Sequence, residues 1–196
     1  MRQEIQIVLS AWRNTTGIVA STPAGQFAGR DKETKVFRLL RQEIERLAPT
    51  PTLRIFGPDS QTRFNGWSID LVCAAGECRI AIEGKYKIDG DGAVPDNRKA
   101  AFFDLFKLAR YVASGQYCAG LFLWLTNVPE YLRKATGDST DFSTHDGRLY
   151  RAGTALMAAR ARNAMPLPLV LTQDFRFDWQ SVAGSDQWHA LALCVG

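Results

Sequence analysis

Residues 67–86 read WSIDLVCAAGECRIAIEGKY, and the fold of the chain is predicted from this segment outward. Two apolar runs, 67–73 and 78–86, flank the segment Ala74-Ala75-Gly76-Glu77, which is typical of a tight turn. Strand-forming residues on both sides of such a segment predict a β-hairpin. The predicted pair of antiparallel strands is the centre from which the rest of the chain can be assigned.

Three charged residues stand inside this hairpin. Asp70 interrupts the first apolar run, and Glu83 and Lys85 lie two residues apart on the second. Side chains two positions apart on a strand point to the same face of the sheet. Because the turn folds the two strands together, we expect Asp70 beside Glu83, with both carboxylates and the Lys85 ammonium at one end of a sheet.

The flanking segments predict an α/β (α+β) chain with a central mixed sheet flanked by helices. Apolar spacing predicts helices at 5–12, 31–47, 97–113 and 154–162, and turn-rich composition predicts loops at 14–29 and 87–96. Strands are expected at 52–56, at 119–125 with both faces buried, and at 188–195, with a hairpin over 142–150 around Asp146-Gly147. No linker is recognisable, so we expect a single domain over 1–196, with a core at about 31–125 and a C-terminal addition at 126–196.

Composition narrows the class of protein. The 196 residues are 46% hydrophobic and 22% charged, which suits a globular domain. No apolar run is long enough to cross a membrane and the N-terminus does not resemble a signal peptide, so we expect a cytoplasmic protein without a membrane partner. A net charge of +4 is compatible with a nucleic-acid partner. Four cysteines without a CxxC pair and two isolated histidines argue against a zinc site.

The expected charged cluster has the chemistry of a metal site. Carboxylate oxygens such as those of Asp70 and Glu83 are the hard ligands that Mg²⁺ prefers. A metal ion stabilises charge that develops on a phosphate and helps to ionise an attacking water, and Lys85 can position that water. A Glu-x-Lys pair at a strand end is more often a solvated surface pair. The position of Asp70 inside an apolar run favours the catalytic interpretation.

Asp70 followed by Glu83-Gly84-Lys85 resembles the motif of the PD-(D/E)XK nuclease superfamily, which includes many restriction enzymes and Holliday-junction resolvases. The order of helix, three strands, helix and strand expected over 31–125 is similar to its restriction endonuclease-like αβββαβ core. Ile69 stands where the motif has proline, a departure that is frequent in such enzymes.

The resemblance implies a metal-dependent endonuclease that hydrolyses DNA phosphodiester bonds. In that family pattern Asp70 and Glu83 are catalytic metal ligands and Lys85 is a catalytic residue that orients water. The implied cofactor is Mg²⁺, with Mn²⁺ as a substitute. A homodimer, common among restriction-type enzymes that cut both strands, is an assembly that the resemblance allows.

The superfamily often adds a catalytic glutamate from its first core helix. Glu33 precedes Val36, Leu39 and Leu40 at +3, +6 and +7, which resembles the resolvase pattern. Glu43 also falls within the apolar stripe of that helix and is the alternative. Either side chain could instead be an ordinary surface glutamate.

A looser similarity extends further along the chain. It concerns Lys85-Tyr86-Lys87, the segments 103–107 (FDLFK) and 122–127 (FLWLTN), residues 142–153 and Trp179. These segments look like an uncharacterised bacterial family of the same fold, which suggests that the C-terminal part belongs to the same domain.

Basic residues next to and within the 97–113 helix are candidates for nucleic-acid binding through phosphates. They are Lys87, Arg98, Lys99, Lys107 and Arg110. The alternative is a solvated helix face. Asp104 could be a surface charge of that helix or could support the site residues through a contact with them, and we favour the surface charge. Two other functions stay open: a catalytically inactive nuclease-fold module that binds DNA or a partner protein, and a structural protein in which Glu83 and Lys85 form a surface pair.

Overall fold

A mixed sheet forms the centre of the protein. The computed structural model describes residues 2–23, 25–48, 53–57, 67–158 and 167–196. Within these residues the helices are α1 (Arg2–Ser21), α2 (Lys32–Leu47) and α3 (Val94–Ala113), with short 3-10 helices at Pro129–Leu132 and Gly137–Phe142. The strands are β1 (Arg54–Phe56), β2 (Leu71–Ala75), β3 (Cys78–Lys87), β4 (Ala119–Thr126), β5 (Arg148–Tyr150), β6 (Ala155–Leu156), β7 (Leu169–Val170), β8 (Phe175–Phe177), β9 (Gln180–Ser181) and β10 (His189–Val195).

The central sheet has the strand order β1-β2-β3-β4-β10-β9 among the described strands. The β2–β3 hairpin is antiparallel, and β3 runs parallel to β4 because α3 carries the chain back between them. All eight residues of β4 are buried, as expected for a strand covered on both faces. The predicted mixed α+β class, with a mixed central sheet flanked by helices, is confirmed.

The two faces of the sheet bury different helices. On one face α1 and α2 pack against Ile80 and Ile82 of β3. On the other face α3 packs against Ala81, and Glu83 and Lys85 follow on that same side because side chains alternate along a strand. The charged residues of β3 therefore continue the α3 face of the sheet.

The first helix is longer than the sequence predicted. A loop was expected over 14–29, but α1 continues through Ser21. The Thr15 hydroxyl donates to Ala11 O at 2.9 Å and the Thr16 hydroxyl donates to Arg13 O at 2.9 Å, so these polar side chains are satisfied within the helix. Val19, near the C-terminal end of α1, is buried in the same apolar cluster as β3. This burial holds the last turns of α1 against the sheet.

The C-terminal part is more closely joined to the core than an added layer would be. The predicted strand at 188–195 is confirmed as β10, which pairs with β4 over its whole length inside the central sheet. The predicted hairpin over 142–150 is wrong, because β5 pairs with the distant β8. The predicted helix at 154–162 is wrong where it can be compared: residues 155–156 form β6, and 159–162 lie outside the described residues.

None of the helices in the described part of the chain is long and apolar enough to span a bilayer.

Candidate functional site

The β2–β3 hairpin brings Asp70 and Glu83 together as the sequence predicted. Leu71 pairs with Ile82 in the register of the hairpin, so Asp70, one residue before β2, stands opposite Glu83. Gly84 N donates a hydrogen bond of 3.0 Å to Asp70 Oδ2, which fixes the aspartate at the end of the strand pair. Lys85 follows on the same face as Glu83, towards α3.

Two residues of α3 complete the cluster. Lys107 Nζ lies 2.8 Å from Glu83 Oε1 and 2.9 Å from Asp104 Oδ1, and Lys85 forms an ion pair with Asp104 Oδ2. Asp104 and Lys107 are three residues apart and therefore share one face of the helix. We call Asp70, Glu83, Lys85, Asp104 and Lys107 the buried ionic cluster.

The cluster is largely withdrawn from water. The side chain of Glu83 is 3% exposed and that of Asp104 is 6% exposed. Lys107 and Lys85 are 10% and 15% exposed. Three carboxylates and two ammonium groups leave one negative charge in excess when all five are ionised. Burial makes this imbalance costly, because charges are poorly screened away from water.

Burial and neighbouring charges move the pKa values of the acids in opposite directions. Burial, followed by the charges of Asp104 and Asp70, raises the pKa of Glu83 well above its usual range. Burial also raises the pKa of Asp70, and Lys85 offsets only part of this effect. Burial acts on Asp104 in the same sense, but Lys85 and Lys107 outweigh it and its pKa is lowered. Asp104 is therefore the acid that the lysines hold ionised, whereas Asp70 and Glu83 lack full compensation.

The two lysines stay protonated for the complementary reason. Burial, the largest single effect, lowers the pKa of each ammonium. The charge of Asp104, the charges of the other acids and the side-chain hydrogen bonds together outweigh burial, so the pKa values of Lys85 and Lys107 are both raised. Glu83 adds a direct hydrogen bond to Lys107. The β3 and α3 lysines thus act as fixed cations in the cluster.

The interpretation of Asp104 as a surface charge is wrong. Its side chain is buried and bonded to both lysines. The sequence did carry a signal, because Asp104 lies three residues after Ala101 and four before Leu108, and both of these are buried. The apolar residues around it place position 104 on the inward face of α3.

The five candidate nucleic-acid-binding residues do not form one surface in the structure. Arg98 is buried and donates to the carbonyls of Glu130 and Arg133, with a distance of 2.8 Å to Arg133 O. Lys99 is buried, and its Nζ lies 3.8 Å from Asp96 Oδ1. The alternative prediction, that these residues form a solvated helix face, is therefore also wrong for Lys99. Lys107 belongs to the buried ionic cluster, Lys87 contacts Glu33, and Arg110 is exposed.

The two candidate glutamates of α2 have different surroundings. Glu33 Oε1 accepts hydrogen bonds from Tyr86 N at 3.3 Å and from Lys87 Nζ at 2.8 Å, directly after Lys85 in the chain. It also lines a cleft together with Asp70. Glu43 contacts Asn14 and Arg46 instead, at 3.1 and 2.8 Å. Ten residues further along α2, it lies about 15 Å away from Glu33.

Metal ligation can be tested against the donors that are present. In the residues the structure describes, no three side chains of His, Cys, Asp or Glu are grouped so that they could hold a metal ion. Lys107 stands between Glu83 and Asp104, where a shared cation would otherwise sit. Asp70 and Glu83 remain as a pair of adjacent carboxylates. A Mg²⁺ site needs only one or two protein carboxylates, because the ion keeps several waters, so this pair fits the ion by its donor chemistry.

Comparisons with known proteins add no relative: the chain matches no protein-family model, no curated protein and no solved structure.

Proposed function

We propose that this chain is a metal-dependent endonuclease that hydrolyses DNA phosphodiester bonds and has a restriction endonuclease-like core of the PD-(D/E)XK type. One observation carries the proposal. Asp70 and Glu83 stand opposite each other at the end of neighbouring strands, with Lys85 on the same face. Burial raises the pKa of both acids, and the neighbouring lysines offset only part of this effect.

Asp70 and Glu83 would hold Mg²⁺, or Mn²⁺ in its place. A bound ion would stabilise charge on the phosphate and lower the pKa of a water molecule next to it. The acids must be deprotonated to bind it, so metal binding and proton release are coupled at this pair.

Lys85 would act on the attacking water or on a non-bridging phosphate oxygen, as a hydrogen-bond donor. Asp104 supports this role, because its charge and hydrogen bond, together with the charges of Asp70 and Glu83, outweigh burial and raise the pKa of Lys85. Asp104 also anchors the ammonium from the α3 side. Lys107 offsets the charge of Glu83 while no metal is bound. Glu33 would contribute from the far side of β3, through the cleft that it shares with Asp70.

The decisive experiment is nicking of supercoiled plasmid with Mg²⁺, Mn²⁺ or EDTA. Wild-type protein should nick only with a metal, whereas Asp70→Asn and Lys85→Met should each lower the rate by about a hundredfold or more. The control is Glu43→Gln, which removes a charge from α2 outside the cluster. Nicking by Asp70→Asn at the wild-type rate would refute the proposal, provided that its circular dichroism matches wild type.

A second candidate is a catalytically inactive nuclease-fold module that binds DNA or a partner protein. It is favoured by Lys107, which compensates Glu83 and Asp104 without any metal. Salt-sensitive DNA binding with no nicking under any metal condition would support this alternative. Assembly as a homodimer and a cytoplasmic location stay predictions from the sequence.

A further inference from the structure

A cleft of about 290 Å³ opens between α2 and the ends of β1 and β2. On its β side are Gly57, Asp70 and Leu71. On its helix side, among the described residues, are Glu33, Thr34, Phe37, Arg38 and Arg41. The cleft therefore joins one acid of the buried ionic cluster to a basic, exposed surface of α2.

Arg38 and Arg41 lie one helical turn apart on the same face of α2. Both are exposed. Arg41 contacts Glu45 through Nε at 2.8 Å, with side chains that are 46% and 50% exposed. A solvated pair of this kind contributes little free energy, so it leaves Arg41 available to another anion. Guanidinium groups match the geometry of phosphate oxygens, and the Thr34 hydroxyl beside them is a further donor.

We infer that this cleft binds the sugar-phosphate backbone of a nucleic acid through Arg38 and Arg41, leading it to Asp70. The inference rests on the proposed function, since it assigns the surface that holds the substrate of that site. It moves the phosphate-binding surface from α3 to α2. On α3, Arg98, Lys99 and Lys107 are buried, and each contacts a carbonyl or a carboxylate within the protein.

The test measures binding of a short fluorescein-labelled DNA duplex by anisotropy, with Ca²⁺ and separately with EDTA, across a salt series. We expect Arg38→Gln/Arg41→Gln to weaken binding by about tenfold or more. Loss of two phosphate contacts should also reduce the slope of log K against log salt by about two. The matched control, Arg13→Gln/Arg176→Gln, removes the same charge from exposed positions elsewhere and should bind like wild type. Arg110→Gln tests the exposed basic residue of α3 and should have little effect.

Three results would overturn the inference: no DNA binding by wild type in either buffer, equal binding by the cleft variant, or displacement of the duplex by polyglutamate at lower charge concentration than by unlabelled DNA. The last result would identify the occupant as an acidic protein segment. If the cleft variant loses DNA binding but the wild type never nicks plasmid with any metal, the inference stands and the nuclease proposal fails.

Discussion

Lys107 and Glu83 form a buried ion pair, with 2.8 Å between Nζ and Oε1, so the carboxylate of Glu83 receives a cation from within the protein. The Lys107 ammonium also lies 2.9 Å from Asp104 Oδ1, so one cation forms ion pairs with a carboxylate of β3 and a carboxylate of α3. Metal binding at Glu83 would therefore compete with Lys107. The effect of Lys107 on metal binding can be measured with a variant that lacks its ammonium.

Replacing Lys107 with methionine should destabilise the metal-free protein and increase the stabilisation that the protein gains from a metal ion. Methionine keeps the apolar stem but leaves Glu83 and Asp104 without their shared cation, a change that costs about 3 kcal/mol at a buried pair. Chemical unfolding in EDTA measures this loss. Thermal unfolding with Mn²⁺ should then show a larger rise in Tm for the variant than for wild type, because the ion replaces the missing charge.

Lys99→Met is the matched control for this experiment. Lys99 is also a buried lysine of α3, but its carboxylate neighbour Asp96 is 3.8 Å away and 55% exposed. Loss of the Lys99 ammonium should lower the free energy of unfolding by less than loss of the Lys107 ammonium does. The rise in Tm with Mn²⁺ should be the same as for wild type. Equal responses of Lys107→Met and wild type to Mn²⁺ would show that the lysine does not compete with metal.

Gly84 separates the two motif residues of β3 and allows α2 to approach the sheet. A Cβ at this position would overlap Phe37 Cζ and lie 3.0 Å from Leu123 O. We expect Gly84→Ala to cost about 1–3 kcal/mol of unfolding free energy, as overpacking does in a core. Gly84→Ala in a Phe37→Leu background should cost less, because the ring that causes the overlap is gone. Additive losses in this double-mutant cycle would contradict the predicted overlap.

The sequence predicted the hairpin and its charges because both depend on short-range patterns. Alternation along β3 is enough to assign Glu83 and Lys85 to one face, and the turn at residues 76–77 brings Asp70 opposite. Asp104 was assigned to the surface and Lys107 to phosphate binding because charged helix residues are usually solvated. The apolar neighbours on α3 do place position 104 on the inward face, but its ionic partners lie about twenty residues away along the chain, and no local pattern identifies them.

Long-range pairing limited the prediction in the C-terminal part in the same way. The strand at 188–195 has a clear apolar pattern, but nothing local indicates that it pairs with β4. Likewise, Asp146-Gly147 is a turn signal at the correct place, yet the strand that follows pairs with β8. Turn chemistry fixes where a chain bends, whereas the partner of a strand is decided by the whole sheet.

The stability of the metal-free protein should depend on pH through Asp70. Burial raises the pKa of Asp70, so the folded state holds its proton more tightly than the unfolded chain. Stability must then fall as pH rises from the usual aspartate range through the raised pKa. Asp70→Asn has no titrating proton at this position, and its amide oxygen can still accept the hydrogen bond from Gly84 N. Its stability relative to wild type, measured by urea unfolding in EDTA, should therefore increase with pH across that window.

Asp174→Asn provides a control of opposite sign. The Ala152 N–H and Arg151 lower the pKa of this exposed aspartate. Its contribution to stability is present above its unfolded pKa and is lost as pH falls, so Asp174→Asn should lose stability relative to wild type at higher pH. If Asp70→Asn followed the same direction, the burial of an uncompensated Asp70 charge would be disproved.

Glu33 and Glu43 can be separated by their effects on cleavage. Glu33→Gln removes a charge from the cleft next to Asp70 while keeping an oxygen that can accept from Tyr86 N, so the fold should be preserved. We expect plasmid nicking with Mg²⁺ to slow by about tenfold, since the lost carboxylate would no longer orient water or an ion beside the pair. Glu43→Gln, which changes contacts with Asn14 and Arg46 rather than with the cleft, should nick at the wild-type rate. Equal rates for both variants would remove Glu33 from the proposed site and leave Asp70, Glu83 and Lys85 as its complete set.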